Sequence, residues 1–211
     1  MSKSYGQYCG LARALDVVGD RWNLLIVRQL LMGPARYREL LGGLPGVATN
    51  LLADRLRDLE DAGVVERRLA GEGNAIAYGL TPWGAGLREP IESLIRWSTP
   101  LMAHGPDNDQ VRAEWLVVAL PALLAGKAPA RRSSTVGIAV GDHVLQVRTT
   151  RSGIQVSPHD GRHLDAVIHA GTETVLGLAT GGLTLDEAAA LVDIEGDEAA
   201  VRAVFHAASS A

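Results

Sequence analysis

From Cys9 to Gly33 the apolar residues recur at helical spacing in two runs, "CGLARALDVVG" and "DRWNLLIVRQLLMG", hinged at Gly19-Asp20. Asp20 suits the N-cap of the second run, and Gly33-Pro34 a stop. "ARYRELLGGLPG" predicts a short helix ending in glycines and a Pro45-Gly46 turn. Leu52, Leu56 and Leu59 then follow i, i+4, i+7, the buried seam of an amphipathic helix that Gly63 closes. Residues 64–69 and 76–81 alternate loosely about "AGEGN", which reads as a hairpin. "PWGAGLREPIESLIRWSTPLM" returns to helix, with Leu87, Ile91, Leu94 and Ile95 on one side and Pro90 as a kink or a new start.

The polar stretch "AHGPDNDQ" interrupts this pattern and predicts a boundary between domains 1–105 and 110–211. An apolar helix is expected over 111–125, followed by the loop "GKAPARRSS". Strand-like runs cover 135–140, 143–149, 153–157 and 166–170. Helices are expected over 172–180, 185–191 and 198–208, with a short strand at "VDIEG". The fold class is therefore α+β, in two domains.

Composition adds little until it is divided. Hydrophobic residues make up 47% of the chain and charged residues 21%, which suits packed cores rather than disorder. The net charge of −4 gives no sign of a polyanion partner, but it is uneven. Residues 1–105 hold 12 Lys+Arg against 11 Asp+Glu; the remainder holds 8 against 13. A nucleic-acid surface would have to be local and lie in the first half. Cys9 is the lone cysteine, so no intrachain disulfide exists. "MSKSYGQYCG" lacks the apolar core of a signal peptide, and "WLVVALPALLAG" is too short for a bilayer. A cytoplasmic protein without a membrane partner is the expectation.

Helix, helix, short helix, turn, amphipathic helix, hairpin, helix is the order of a winged helix-turn-helix. In that arrangement Thr49 and Asn50 begin the helix that enters the major groove, where small hydrogen-bonding side chains suit base edges or phosphates. Arg67 and Arg68 lead into the wing. The stretch "TNLLADRLRDLEDAGVVERR" nevertheless holds five carboxylates against four arginines. Position resolves the sum: with the leucines inward, Asn50, Ala53, Asp54, Arg57 and Asp61 point outward, and most acids fall at the far end. Asp54 either accepts from a cytosine amino group or pairs with Arg57 or the neighbours of Asp58 and orients them, and the second is favoured because an unpaired carboxylate near phosphates is costly.

"YCGLARALDVVGDRWNLLIVRQLLMGPARYREL", "LPGVATNLLADRLRDLEDAGVVERR" and "YGLTPWGAGL" together resemble the HxlR-type, MarR-related winged-helix transcription regulators over residues 8–97. The resemblance implies a homodimer on double-stranded, pseudo-palindromic operator DNA, with the first and last helices of the domain at the dimer interface. It places recognition positions at Thr49, Asn50, Ala53, Asp54 and Arg57, and phosphate contacts at Arg36 and Arg38. Arg55 reads as an ion-pair or backbone anchor with a possible phosphate contact. Ala48 and Ala53 stand where many relatives carry longer polar side chains, so base readout should be sparse. The wing tip lacks arginine and contains Glu72, which leaves wing contacts to Arg67, Arg68 and Asn74. Cys9 aligns with a cysteine that some such regulators use as a thiol sensor, and is a redox candidate on that ground.

In the second half, "IHAGTETVLGLATGGLTLDEA" and "IEGDEAAV" resemble the C-terminal part of the sterol-carrier-protein type 2 fold, over residues 164–205. That resemblance implies a five-stranded sheet covered by helices around an apolar tunnel. Trp115, Leu116, Val175, Leu178, Leu191, Val204 and Phe205 are the candidate ligand-binding residues, with core packing as the competing role for each. An uncharged, lipid-like effector would suit them. His159 and His163 have metal-like spacing, but Pro158 and Gly161 put them on a turn, so neither metal nor cofactor is expected. No nucleophile elbow, phosphate loop or dinucleotide fingerprint occurs, and the chain is not expected to be an enzyme. The alternative to a regulator is a lipid or metabolite carrier that uses its winged helix for dimerisation.

Overall fold

A computed structural model of the protein describes residues 4–70, 75–102, 105, 106, 108–125, 133–150 and 153–205. They fold as two compact units, Met1–Ile91 and Glu92–Ala211. The first unit opens with helices α1 (Gly10–Val18) and α2 (Asn23–Leu31). Asp20 does not cap α2. Trp22 takes the N-cap position, and the buried Asn23 donates from Nδ2 to the Val17 carbonyl at 2.9 Å, fixing the corner between the helices. Asp20 instead receives an arginine from a later helix.

A two-residue strand, β1 (Ala35–Arg36), precedes helix α3 (Tyr37–Gly43). The sequence pattern shows no such strand, because a two-residue bridge has no periodicity; it exists by pairing with a distant segment. Helix α4 (Thr49–Asp61) follows, with Leu52, Leu56 and Leu59 all fully buried. Gly63, at φ +75°, ends α4 in the left-handed conformation that glycine adopts without penalty, and Val64 N–H returns to the Leu59 carbonyl at 2.9 Å. Strands β2 (Val65–Ala70) and β3 (Ala75–Leu80) pair antiparallel, and the sheet order is β1-β3-β2. This is the winged-helix order expected from the sequence.

Helix α5 (Pro82–Ala85) shows what the run "YGLTPWG", Y-x-L-T-x-x-G in pattern, does physically. Thr81 Oγ1 donates to the Gly63 carbonyl at 2.7 Å and accepts from Gly84 N–H at 3.0 Å, so one hydroxyl caps α5 and ties it to the end of α4. A Cβ on Gly84 would lie 2.0 Å from the Val64 carbonyl oxygen, so only glycine permits this approach. Helix α6 (Arg88–Ser98) starts afresh, with Pro90 in its first turn where no N–H is needed, and the division between the two units falls within it.

The second unit continues with 3-10 turns at Thr99–Met102 and Ala113–Trp115, then helix α7 (Leu116–Leu124). Its five strands are β4 (Ser134–Val140), β5 (His143–Thr150), β6 (Gly153–Pro158), β7 (Ala166–Ala170) and β8 (Val192–Gly196), in the order β6-β5-β4-β7-β8. Only the β4–β7 pair is parallel. The register stacks Val136 with Val147 and Ala166, and Ile138 with Leu145 and Ile168, so these buried apolar side chains share one face of the sheet. Helix α7 packs on β6 and on α8 (Thr172–Thr180), while α9 (Glu198–Phe205) packs on β4 and β7. Residues 185–191, expected as a helix, form consecutive turns instead. Glu187 binds back to Thr184 through N–H and hydroxyl at 2.9 and 2.7 Å, as a capping box would, but the segment turns into β8 before a regular helix develops. No helix among the described residues is long and apolar enough to cross a membrane.

Candidate nucleic-acid interface

Helix α4 places the candidate recognition residues. Ala48 is its N-cap and offers no side-chain hydrogen bond, so the first-turn N–H groups and the positive end of the helix dipole stay uncovered by side chains. Thr49 and Asn50 are exposed at this end, Ala53 and Asp54 are half-buried, and Arg57 is exposed one turn further on. Tyr37 positions the helix from behind, donating its hydroxyl to the Thr49 carbonyl at 2.5 Å. Thr49, Asn50, Asp54 and Arg57 thus lie along one outward strip.

The charges on this strip are paired. Arg57 binds the Asp54 carboxylate one turn earlier on α4. Arg55 turns back toward the unit, binding Asp20 at the α1–α2 corner and Asp58 at 3.4 Å. This is the anchoring role its place beside the leucine seam suggested, and it explains why Asp20 serves no helix cap.

The two wing arginines take opposite faces of β2, as alternation requires. Arg67 reaches Glu60 of α4 at 3.0 Å with its guanidinium 5.8 Å from the Tyr78 ring centre. Arg68 lies across Gly79 of β3, bound to Glu66 at 2.6 Å and to the Leu80 carbonyl at 2.9 Å. Both brace the wing against its neighbours. Asn74, the remaining wing candidate, lies outside the described residues.

Arg36 and Arg38 differ from all of these. Both are exposed, and no ion pair joins either to a carboxylate among the described residues. Arg36 stands on β1 as the N-cap of α3, not within a helix, and its backbone N–H is held by Glu39 at 2.6 Å. Arg38 is in the first turn of α3. Sequence reasoning singles out these two cations but has no means of showing that, unlike Arg55, Arg57, Arg67 and Arg68, their guanidinium groups make no ion pair among the described residues.

Cys9 is exposed at the N-cap of α1. The backbone N–H of Ala12, and secondarily that of Leu11, lowers its thiol pKa from the ordinary value. In the second unit, Leu116, Val175, Leu178, Val204 and Phe205 are buried among the sheet and helices, whereas Leu191 is 59% exposed. Trp115 is half-buried in the 3-10 turn before α7. His159 and His163 occupy the loop after β6, and among the described residues no three metal-ligating side chains gather.

Comparison with known proteins matches this chain over residues 17–105 to the HxlR-like helix-turn-helix family. The uncharacterised HTH-type transcriptional regulator YvaP of Bacillus subtilis is 38% identical over 88 residues, covering 41% of this chain and 82% of YvaP. The HTH-type transcriptional regulator YodB of the same organism is 34% identical over 93 residues, covering 44% of this chain and 83% of YodB. The solved structure of reduced YodB is similar with a TM-score of 0.41 at 31% identity, covering 47% of this chain and 99% of that one. With its helix-turn-helix and with relatives 38% and 34% identical that are covered over 82% and 83% of their length, the chain belongs to the HxlR-like helix-turn-helix family of DNA-binding transcriptional regulators.

Proposed function

We propose that the protein is a homodimeric regulator that docks the N-terminal end of α4 in the major groove of operator DNA, with residues 1–105 as its DNA-binding and dimerisation part. The observation that carries this reading is the outward strip of α4, Thr49, Asn50, Asp54 and Arg57, backed by a fully buried leucine seam. Thr49 and Asn50 meet bases, Arg36 and Arg38 meet phosphates, and Arg55 acts as an anchor. Ala53 leaves room for close approach. Arg67 and Arg68 act through the orientation of the wing, and Asn74 is the remaining candidate contact.

Dimerisation is supported by apolar side chains left in solvent. On α1 these are Leu11, 69% exposed, and Leu15; the same helix supplies Val17 and Val18 to a cavity of about 420 Å³ that Val64 and Leu87 also line. On α6 they are Leu94 and Trp97. Two recognition helices docking together require half-sites about 34–36 Å apart. Residues 110–211 serve as a sterol-carrier-like regulatory domain for a small apolar effector, with Trp115, Leu116, Val175, Leu178, Leu191, Val204 and Phe205 as its candidate contacts. An effector that rotates the dimer would spoil simultaneous contact with both half-sites.

The test is a gel shift on DNA upstream of the protein's own gene. Wild type should retard it, and Asn50→Ala should lower discrimination among base substitutions by about 1–3 kcal/mol at the affected position. An apolar molecule retained in the second unit by native mass spectrometry, with no retarded DNA, would favour the carrier alternative. A thiol-sensing role for Cys9 is favoured by its exposure and its lowered pKa. Diamide, taking the Cys9 thiols of two subunits to an intersubunit disulfide as it is itself reduced to the hydrazine, should then release wild type, but not Cys9→Ser, from the retarded complex; equal release of both removes that role.

A further inference from the structure

The arrangement of charge on α4 deepens the reading of the protein as an operator-binding regulator, on which this inference rests. A DNA-binding surface ordinarily gains affinity for any duplex by replacing condensed counterions with its own cations. Here Arg57, the exposed arginine of the recognition strip, already has the Asp54 carboxylate for a counterion. Asp54 is half-buried on the same strip, so its charge accompanies Arg57 wherever α4 docks. A neutral pair releases no counterions from DNA. Moving Arg57 to a phosphate would strand Asp54 beside a polyanion. On an arbitrary duplex the exchange forms one attraction and creates one repulsion.

A matched base pair removes that conflict. Arginine binds the O6 and N7 acceptors of guanine, and a carboxylate accepts from the cytosine amino group. Only where the major groove offers both can the pair open with each partner satisfied. We propose that Asp54 is a specificity-determining residue: it withholds Arg57 from the phosphates of unrelated DNA and yields it over a step that presents guanine to Arg57 and cytosine to Asp54. Unrelated duplex is then held by Arg36 and Arg38, two exposed arginines with no ion-pair partner among the described residues. Exposed ion pairs are weak enough to exchange when the alternative is complete, which is what a reversible selector requires.

The experiment measures binding of wild type, Asp54→Asn and Asp54→Asn/Arg57→Gln to two duplexes over a salt series. One duplex is the strongest-bound fragment upstream of the protein's own gene, and the other is of unrelated sequence. Asparagine keeps the shape of aspartate, and the far-UV circular dichroism of each variant checks the helix. Asp54→Asn should bind the unrelated duplex on the order of 5–10-fold more tightly near 0.1 M salt, with a log–log salt slope steeper by about 0.9 for each further phosphate neutralised. The upstream-to-unrelated affinity ratio should fall, and Arg57→Gln should cancel the tighter binding. Wild type that prefers its upstream fragment, with Asp54→Asn unchanged or weaker on the unrelated duplex, overturns the inference and leaves the regulator reading standing. Wild type that binds neither duplex overturns that reading, and the inference with it.

Discussion

The recognition region and the sheet unit solve opposite problems with similar sequence patterns. Both contain apolar residues at helical spacing, but in α4 only the leucine seam is buried and the candidate recognition strip faces outward. In the second unit Val175, Leu178, Val201 and Val204 are themselves buried, and the exposed residues of α8 and α9 are Glu173, Glu198, Ala199 and Ala203. Binding residues on a helix surface are thus separable from its core by periodicity alone. Residues that would line an apolar ligand are chemically the same as residues that pack a core, and periodicity cannot separate them. Carboxylates brace arginines in both regions, as Glu60 does Arg67 and as Asp186 and Glu198 do Arg202, while Glu187 binds local hydroxyl and amide groups instead.

The sharpest break in this comparison is truncation of Leu178. If it packs the core, Leu178→Ala costs about 2–5 kcal/mol in denaturant unfolding, while Leu191→Ala, at an exposed site, stays within about 0.5 kcal/mol. A Leu178→Ala protein of unchanged stability would instead mark that side chain as lining space held open for a ligand. Next is Gly84→Ala. The new methyl must push against the Val64 carbonyl, which should cost about 1–3 kcal/mol, and calorimetry of the variant should show a lowered midpoint.

Charge effects come after packing effects. Arg36→Ala and Arg38→Ala should each reduce the log–log salt slope of operator binding by about 0.9 with little change in folding stability. A slope that holds in both variants would move the phosphate contacts elsewhere. The smallest effect is in acid. Hydrogen bonds from the Thr184 N–H and then its hydroxyl hold the Glu187 carboxyl below its ordinary pKa. Because the folded value is the lower one, its contribution is full above the unfolded pKa of about 4.3 and disappears as pH falls through the folded value. Urea midpoints of wild type and Glu187→Gln should therefore converge as pH drops through that window; midpoints that stay parallel would show that the capping box contributes nothing.

Much of the first unit is legible in the sequence because its signals are local. The leucine spacing, Gly63, the hairpin and the "Y-x-L-T-x-x-G" run each report a backbone event within a few residues. Strand β1 is not legible, since Ala35 and Arg36 are a strand only through Tyr78 and Ala77. Asp20 has the chemistry of a cap, but Arg55, 35 residues away, claims it. The segment at 185–191 has helical spacing but turns into β8, a constraint that no local pattern carries.

The sequence by itself determined the order of elements in the first unit apart from β1, the buried seam of α4 and which of its side chains face outward, because periodicity and turn chemistry act over short range. Tertiary structure alone decided the partners of Arg55, Arg67 and Arg68. Asp54 and Arg57 are neighbours on one helix and their pairing could be anticipated. The bonds of Arg67 to Glu60, of Arg68 to the Leu80 carbonyl and of Arg55 to Asp20 required separate elements to meet. Charge is written in the sequence, but its availability depends on distances that only folding sets.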